Sequence, residues 1–248
     1  MGTTAAAVGA MLVAFAFGLS TFERWLARRR RHELAWTAAL ALFALAAGAL
    51  AAGATLGWND VTFRVFYFAG AIADVPLLAL GTIYLLAPER AGRFAAGVGL
   101  GTAFAAGVLA VAPFTHPVPS HRLPQGRAVF GAVPQVLAGV GSGAGALVVL
   151  GGALWSAWRY RRGHLLWGNL VIALGTMTLG TSGLLNSVVG AMTAFSVTLT
   201  AGITILFVGF LVASAGPRPA TAAIVSGSTG AGGGGPSRPR RPGATRRS

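Results

Sequence analysis

The chain has 248 residues, 54% of them hydrophobic and only 10% charged, with a mean hydropathy of +0.70. A soluble domain carries about a quarter charged residues, so a soluble core is excluded and the composition is that of a helical membrane protein. The net charge of +14 comes from 19 arginines without a single lysine, and there is no cysteine. Disulfides, thiolate metal sites and a Schiff-base chromophore of the microbial rhodopsin type are therefore excluded on chemistry.

Seven apolar runs approach or exceed the length needed to cross a bilayer. The first, residues 4–22, precedes its arginines, the reverse of a secretory signal peptide, and reads as a retained helix with its N-terminus outside. The connection 23–33 carries five arginines and is expected inside. The second run, 34–56, is mostly Ala, Leu and Gly, and Trp58 follows it at interface depth.

The third run, 62–86, is the one on which the functional reading turns. Asp74 lies near its middle, the sole acidic residue within the apolar runs, and Pro76 follows two positions later. An ionisable group at that depth costs at least ~2.5 kcal/mol on insertion scales and is a functional candidate by default. Pro76 has no amide hydrogen and its ring crowds the carbonyl of Ile72, so a kink is expected beside the carboxyl group.

Arg90 and Arg93 occupy the next inner connection. The fourth run, 94–112, contains Gly97, Gly99, Gly101 and Gly107, which are expected to let neighbouring backbones approach. Residues 113–127 hold four prolines and should form an extended or turn-rich outer loop. The fifth run, 128–158, is longer than one crossing requires, and is expected to tilt or to begin outside the hydrocarbon with a second kink-former, Pro134. Its Gly139, Gly141, Gly143 and Gly145 give two overlapping G-x-x-x-G spacings. The sixth run, 165–185, bears Asn169 and Thr176, with Asn186 at its outer end, and the seventh, 189–215, bears Thr200. Residues 216–248 are Pro, Gly, Ser and Arg and cannot bury enough surface to fold.

The expectation is an all-α bundle of seven transmembrane helices over 1–215, with the N-terminus outside and a disordered cytoplasmic tail over 216–248. Sixteen of the 19 arginines then lie inside, and the short loops alone divide ten against three. Ala, Gly and Arg usage points to a GC-rich bacterial genome, hence to a multi-pass protein of the inner (plasma) membrane. The expected partners are the bilayer and anionic lipids at the arginine-rich face, with a homo-oligomer compatible and no nucleic acid.

On a helical wheel Arg64, Tyr67 and Asp74 share one stripe. That stripe could line a cavity with Arg64 at its outer mouth. Arg64 precedes Asp74 by ten residues, about 15 Å of helix, so the two do not pair within it. Asn169 and Thr176 of the sixth run and Thr193, Ser196, Thr200 and Thr204 on one face of the seventh are the candidate partners of Asp74, although hydroxyls in such helices more often bond their own backbone. No Arg or His lies deep in another run to serve as counter-ion. A carboxyl that gains and loses a proton at mid-membrane suits a proton-coupled transporter, and a buried structural hydrogen bond looks the same from sequence.

His116 and His121 are too few ligands for a metal site, so neither metal nor cofactor is expected. Enzyme signatures such as H-E-x-x-H and G-x-S-x-G are absent. The reading is a non-enzymatic small-solute transporter with Asp74 as its protonatable centre; the alternative is a sensory or scaffold module acting through protein or lipid partners. Arg28, Arg30, Arg31 and Trp36 recur at the spacing of Arg159, Arg161, Arg162 and Trp167, as a duplicated three-helix unit would give. Pro134-Gln135 is similar to the dipeptide of the PQ-loop sugar transporters, but the first run lacks it. The run GWNDVTFRVFYFAGAIADVPLLALGTIYLL, residues 57–86, resembles uncharacterised seven-helix bacterial integral membrane proteins, which implies the architecture and no activity.

Overall fold

A computed structural model describes residues 2–120, 123–159, 163–184 and 192–214. The expected tail from 216, His121, Asn186 and the arginines at 161 and 162 lie outside these. Among the described residues, seven helical segments are long and apolar enough to cross a membrane. In chain order they are α1 (Gly2–Arg28), α2 (Arg31–Leu56), a composite third span (Asp60–Leu86), α5 (Pro88–Val111), α7 (Ala132–Arg159), α8 (His164–Leu184) and α9 (Met192–Ser214). The third span consists of α3 (Asp60–Phe66), a π-helical stretch (Tyr67–Ala73) and α4 (Asp74–Leu86). The one-turn helix α6 (Gly126–Val129) sits in the long connection before α7.

Three boundaries differ from the sequence expectation. Residues 23–33 are helical except at Arg29 and Arg30, where Arg29 takes a left-handed φ of 51° and closes α1. Long arginine stems reach water from a helix end, so arginines do not mark where a helix stops. Glu33 therefore belongs to α2, where it is only 4% exposed, and Asp74 is not the only acid in the apolar helices. α5 begins at Pro88 in its first turn, where proline's missing donor costs nothing, which makes Arg90 and Arg93 helical. Pro134 lies in the first turn of α7 for the same reason. It opens that helix and does not kink it.

Each of α1, α2, the third span, α7, α8 and α9 packs on the next, and α9 returns to α1. α5 stands outside this circuit, against the third span and the edge of α7. Ala10, Ala14 and Phe17 of α1, Leu40 and Phe43 of α2, and Ile203 and Phe210 of α9 form one core. The other gathers aromatic rings at the opposite end: Trp58, Phe63, Tyr67 and Phe130, with Phe66 edge-on to Phe195. α8 and α9 approach to backbone contact. A Cβ on Gly168 would lie 2.5 Å from the Ala213 nitrogen, and one on Gly209 2.7 Å from the Ile172 nitrogen. The glycines expected to do the same in α5 do not: among the described residues Gly97, Gly99, Gly101 and Gly107 face nothing within 4 Å.

The loop 113–120 is irregular, with bends at Thr115 and His116 and a turn at Ser120, and Phe114 bridges to Phe130. His116 donates from Nδ1 to the Ala128 carbonyl at 3.0 Å. The duplicated Arg/Trp pattern has unlike surroundings in its two copies. Trp36 donates from Nε1 to the Leu78 carbonyl, whereas Trp167 is 65% exposed.

Candidate functional site

Between Tyr67 and Ala73 the third span widens from α to π winding, and the Asp74 amide donates five residues back, to Ala69. Pro76 is the local cause. Its ring would collide with the Ile72 carbonyl in a regular helix, and a wider turn relieves the collision. The neighbouring α7 accommodates what the widening releases. The Ser142 hydroxyl donates to the Ala71 carbonyl at 2.6 Å. Gly141 presents bare backbone to the Ile72 carbonyl, where a Cβ would come within 3.0 Å, and Gly145 does so to the Val75 carbonyl. Only one of the two G-x-x-x-G spacings is thus in use; Gly139 and Gly143 face open space.

Asp74 ends the π stretch. It is 3% exposed, and its Oδ1 accepts the Val75 amide at 2.6 Å. Gly81, two turns later on the same face, lies against Trp36 of α2, and Gly70, about one turn earlier, against Ala46 of α2. Asp74 therefore stands on the face of the span turned to α2, while Ile72, Pro76, Ala79 and Ile83 stand on the other. Those four line a cleft of about 690 Å³ between the third span, α5 and α7. Asp74 does not line it.

The other candidate residues are distributed around the bundle. Arg64 caps the end of α5, donating to the carbonyls of Leu109 and Ala112 (2.8 Å for the latter), with its guanidinium 4.3 Å from the Phe114 ring centre. Tyr67 packs between Phe63 and Phe130 with its ring on Gly126. Asn169 donates to Ser156 at 2.9 Å, tying α8 to α7, and to its own helix at Leu165. Thr200 donates to Ala6, tying α9 to α1, and to Ser196 in its own helix. Thr176, Thr178 and Thr204 bond carbonyls four residues back. The stripe read from the wheel thus divides in two: Arg64 and Tyr67 share the Phe130 ring, at 5.8 and 5.0 Å from its centre, while Asp74 bonds the Val75 amide of its own helix.

Two participants were not singled out from the sequence. Ser142 sits among glycines on the contacting face of α7, and a small polar residue in a glycine seam is a readable signal for a carbonyl partner. Glu33 stands on the inward stripe of α2 with Leu40, Phe43 and Ala47, all buried, and the half-buried Trp36. Its Oε2 has no hydrogen-bond partner among the described residues, and its Oε1 is 3.9 Å from His32 Nε2. Comparison with known protein families, with curated proteins and with solved structures finds no match.

Proposed function

We propose that the protein is a non-enzymatic integral membrane protein that moves a small solute, with proton exchange at Asp74 setting the winding of the third span. One observation carries this: the buried carboxyl stands at the end of the π stretch, where its Oδ1 accepts the Val75 amide just past it. A protonated carboxyl is a weaker acceptor there than a carboxylate. Its charge therefore biases how tightly the span is wound, and π stretches are frequent at functional sites. A multi-pass protein of a bacterial inner membrane, N-terminus outside and arginines inside, fits the arginine distribution.

The test is solute and proton flux in proteoliposomes, wild type against Asp74→Asn. Flux that depends on pH in the wild type and is lost in a folded Asn variant is expected. Flux unchanged by Asn assigns Asp74 a structural hydrogen bond. Carbonyl-stretch infrared difference spectra between pH 5 and 9 report the same event without a known solute; a carboxyl band constant over that range refutes proton exchange. The second reading, a sensory or scaffold module, draws support from the cleft, whose apolar walls suit a lipid or a protein helix better than a hydrophilic solute.

A further inference from the structure

The cleft between the third span, α5 and α7 is built asymmetrically. Its walls are apolar for most of their length: Ile72, Pro76 and Ile83 on one side, Val98 on another, Val140 and Val148 on the third. Gly97 and Gly101 of α5 also line it, and each has open space where a side chain would stand. Arg90 and Arg93 line one end, and among the described residues no acidic one lines any part. From Arg90 to Ala105, both lining, is fifteen residues of α5, or about 22 Å. That exceeds half of a hydrocarbon core ~30 Å thick, so one acyl chain entering from the arginine end fits without leaving its leaflet by much. The volume of about 690 Å³ lies within the range of sites that hold one small ligand.

We propose that this cleft seats a single anionic phospholipid, its phosphate on Arg90 and Arg93 and one acyl chain along the bare glycine face of α5. Charge complementarity selects the occupant. No carboxylate among the described residues lines the cleft beside the two guanidinium groups, so a headgroup with net negative charge is favoured over a zwitterionic one, whose own cation they would repel. The apolar groove below them excludes a free phosphate as the whole ligand. A helix from a second copy would bring no phosphate to the arginines. The seat also explains why α5, the least buried of the seven segments, stays against the circuit: the lipid chain fills what side chains leave open. The inference does not rest on proton exchange, because Asp74 is on the opposite face of the span.

The test uses the full-length protein in a mild non-ionic detergent, with phosphatidylglycerol or phosphatidylcholine added at matched chain length. Lipid retention is read by native mass spectrometry and thermal stability by unfolding. The expected result is one tightly retained phosphatidylglycerol per chain. Arg90→Gln with Arg93→Gln should weaken it roughly thirtyfold, at about 1 kcal/mol per arginine. Gly97→Leu with Gly101→Leu should abolish it by filling the groove, with both arginines kept. Arg28→Gln with Arg31→Gln, the same charge change away from the cleft, should retain it. Equal retention of phosphatidylcholine overturns the proposal, as does phosphatidylglycerol binding that survives the leucine pair. Loss in the Arg28/Arg31 variant equal to that in the Arg90/Arg93 variant overturns it too, since binding is then diffuse surface attraction. Dimerisation that is abolished by the leucine pair would assign the face to a second copy and overturn it equally.

Discussion

Gly143 and Gly145 are two residues apart in one helix and identical in chemistry, yet alanine at each should act in opposite directions. At Gly145 the added methyl would lie 2.9 Å from Val75 Cγ1 and 3.0 Å from both the Val75 carbonyl carbon and its oxygen. The Cγ1 can rotate away, but the two backbone atoms are fixed by the π stretch behind them. α7 must therefore move off the third span, weakening the Ser142–Ala71 bond one turn away. Overpacking of this kind costs about 1–3 kcal/mol. At Gly143 nothing lies within 4 Å, and alanine there only removes glycine's helix penalty of about 0.8–1.0 kcal/mol. The two variants should thus differ by about 2–4 kcal/mol, with Gly145→Ala below wild type and Gly143→Ala at or above it. Unfolding titrations in mixed detergent micelles measure this. Val75→Ala relieves one contact of the three, so it should rescue Gly145→Ala only partly. Equal stabilities for the two alanine variants would refute the packing of α7 on the π stretch, and full rescue by Val75→Ala would refute the claim that backbone atoms set the limit.

Three further outcomes follow from the same contacts. Arg64→Gln should cost about 2–3 kcal/mol by removing charged hydrogen bonds to the last carbonyls of α5, and hydrogen exchange of amides 108–112 should rise; unchanged exchange there contradicts the capping role. Thr200→Val should cost only ~0.6 kcal/mol, the average for an interhelical hydrogen bond in a membrane, so a loss of several kcal/mol would point to a role beyond its bond to Ala6. Topology is testable with single cysteines at Pro119 and Gly92, both exposed: labelling of the first from outside and of the second from inside is expected, and the reverse would invert the orientation. Ala91 does not serve, because it is 0% exposed and a cysteine there would be silent from both sides.

The sequence by itself determined the class of this protein and its seven long helices. The reason is that burial in hydrocarbon is decided by composition over twenty residues and by the demand that each backbone group be bonded within its own segment. It also marked Asp74 and Pro76, since a carboxyl and a proline are anomalous in an apolar run whatever surrounds them. Tertiary structure decided the rest, because glycine, serine and arginine act through what lies opposite them. Gly141 and Gly145 pack on bare carbonyls while Gly139 and Gly143, with the same spacing, touch nothing. Arg64 sits on the same wheel stripe as Asp74, but the approach of α5 turns it into a helix cap. Pro76 foretold an irregular turn; α7 decided how it is accommodated, with the Ser142 hydroxyl bonding the Ala71 carbonyl and bare glycine backbone at Ile72. Which face of the third span looks into the lateral cleft, and which carries the carboxyl, is a property of three helices at once that no one segment contains.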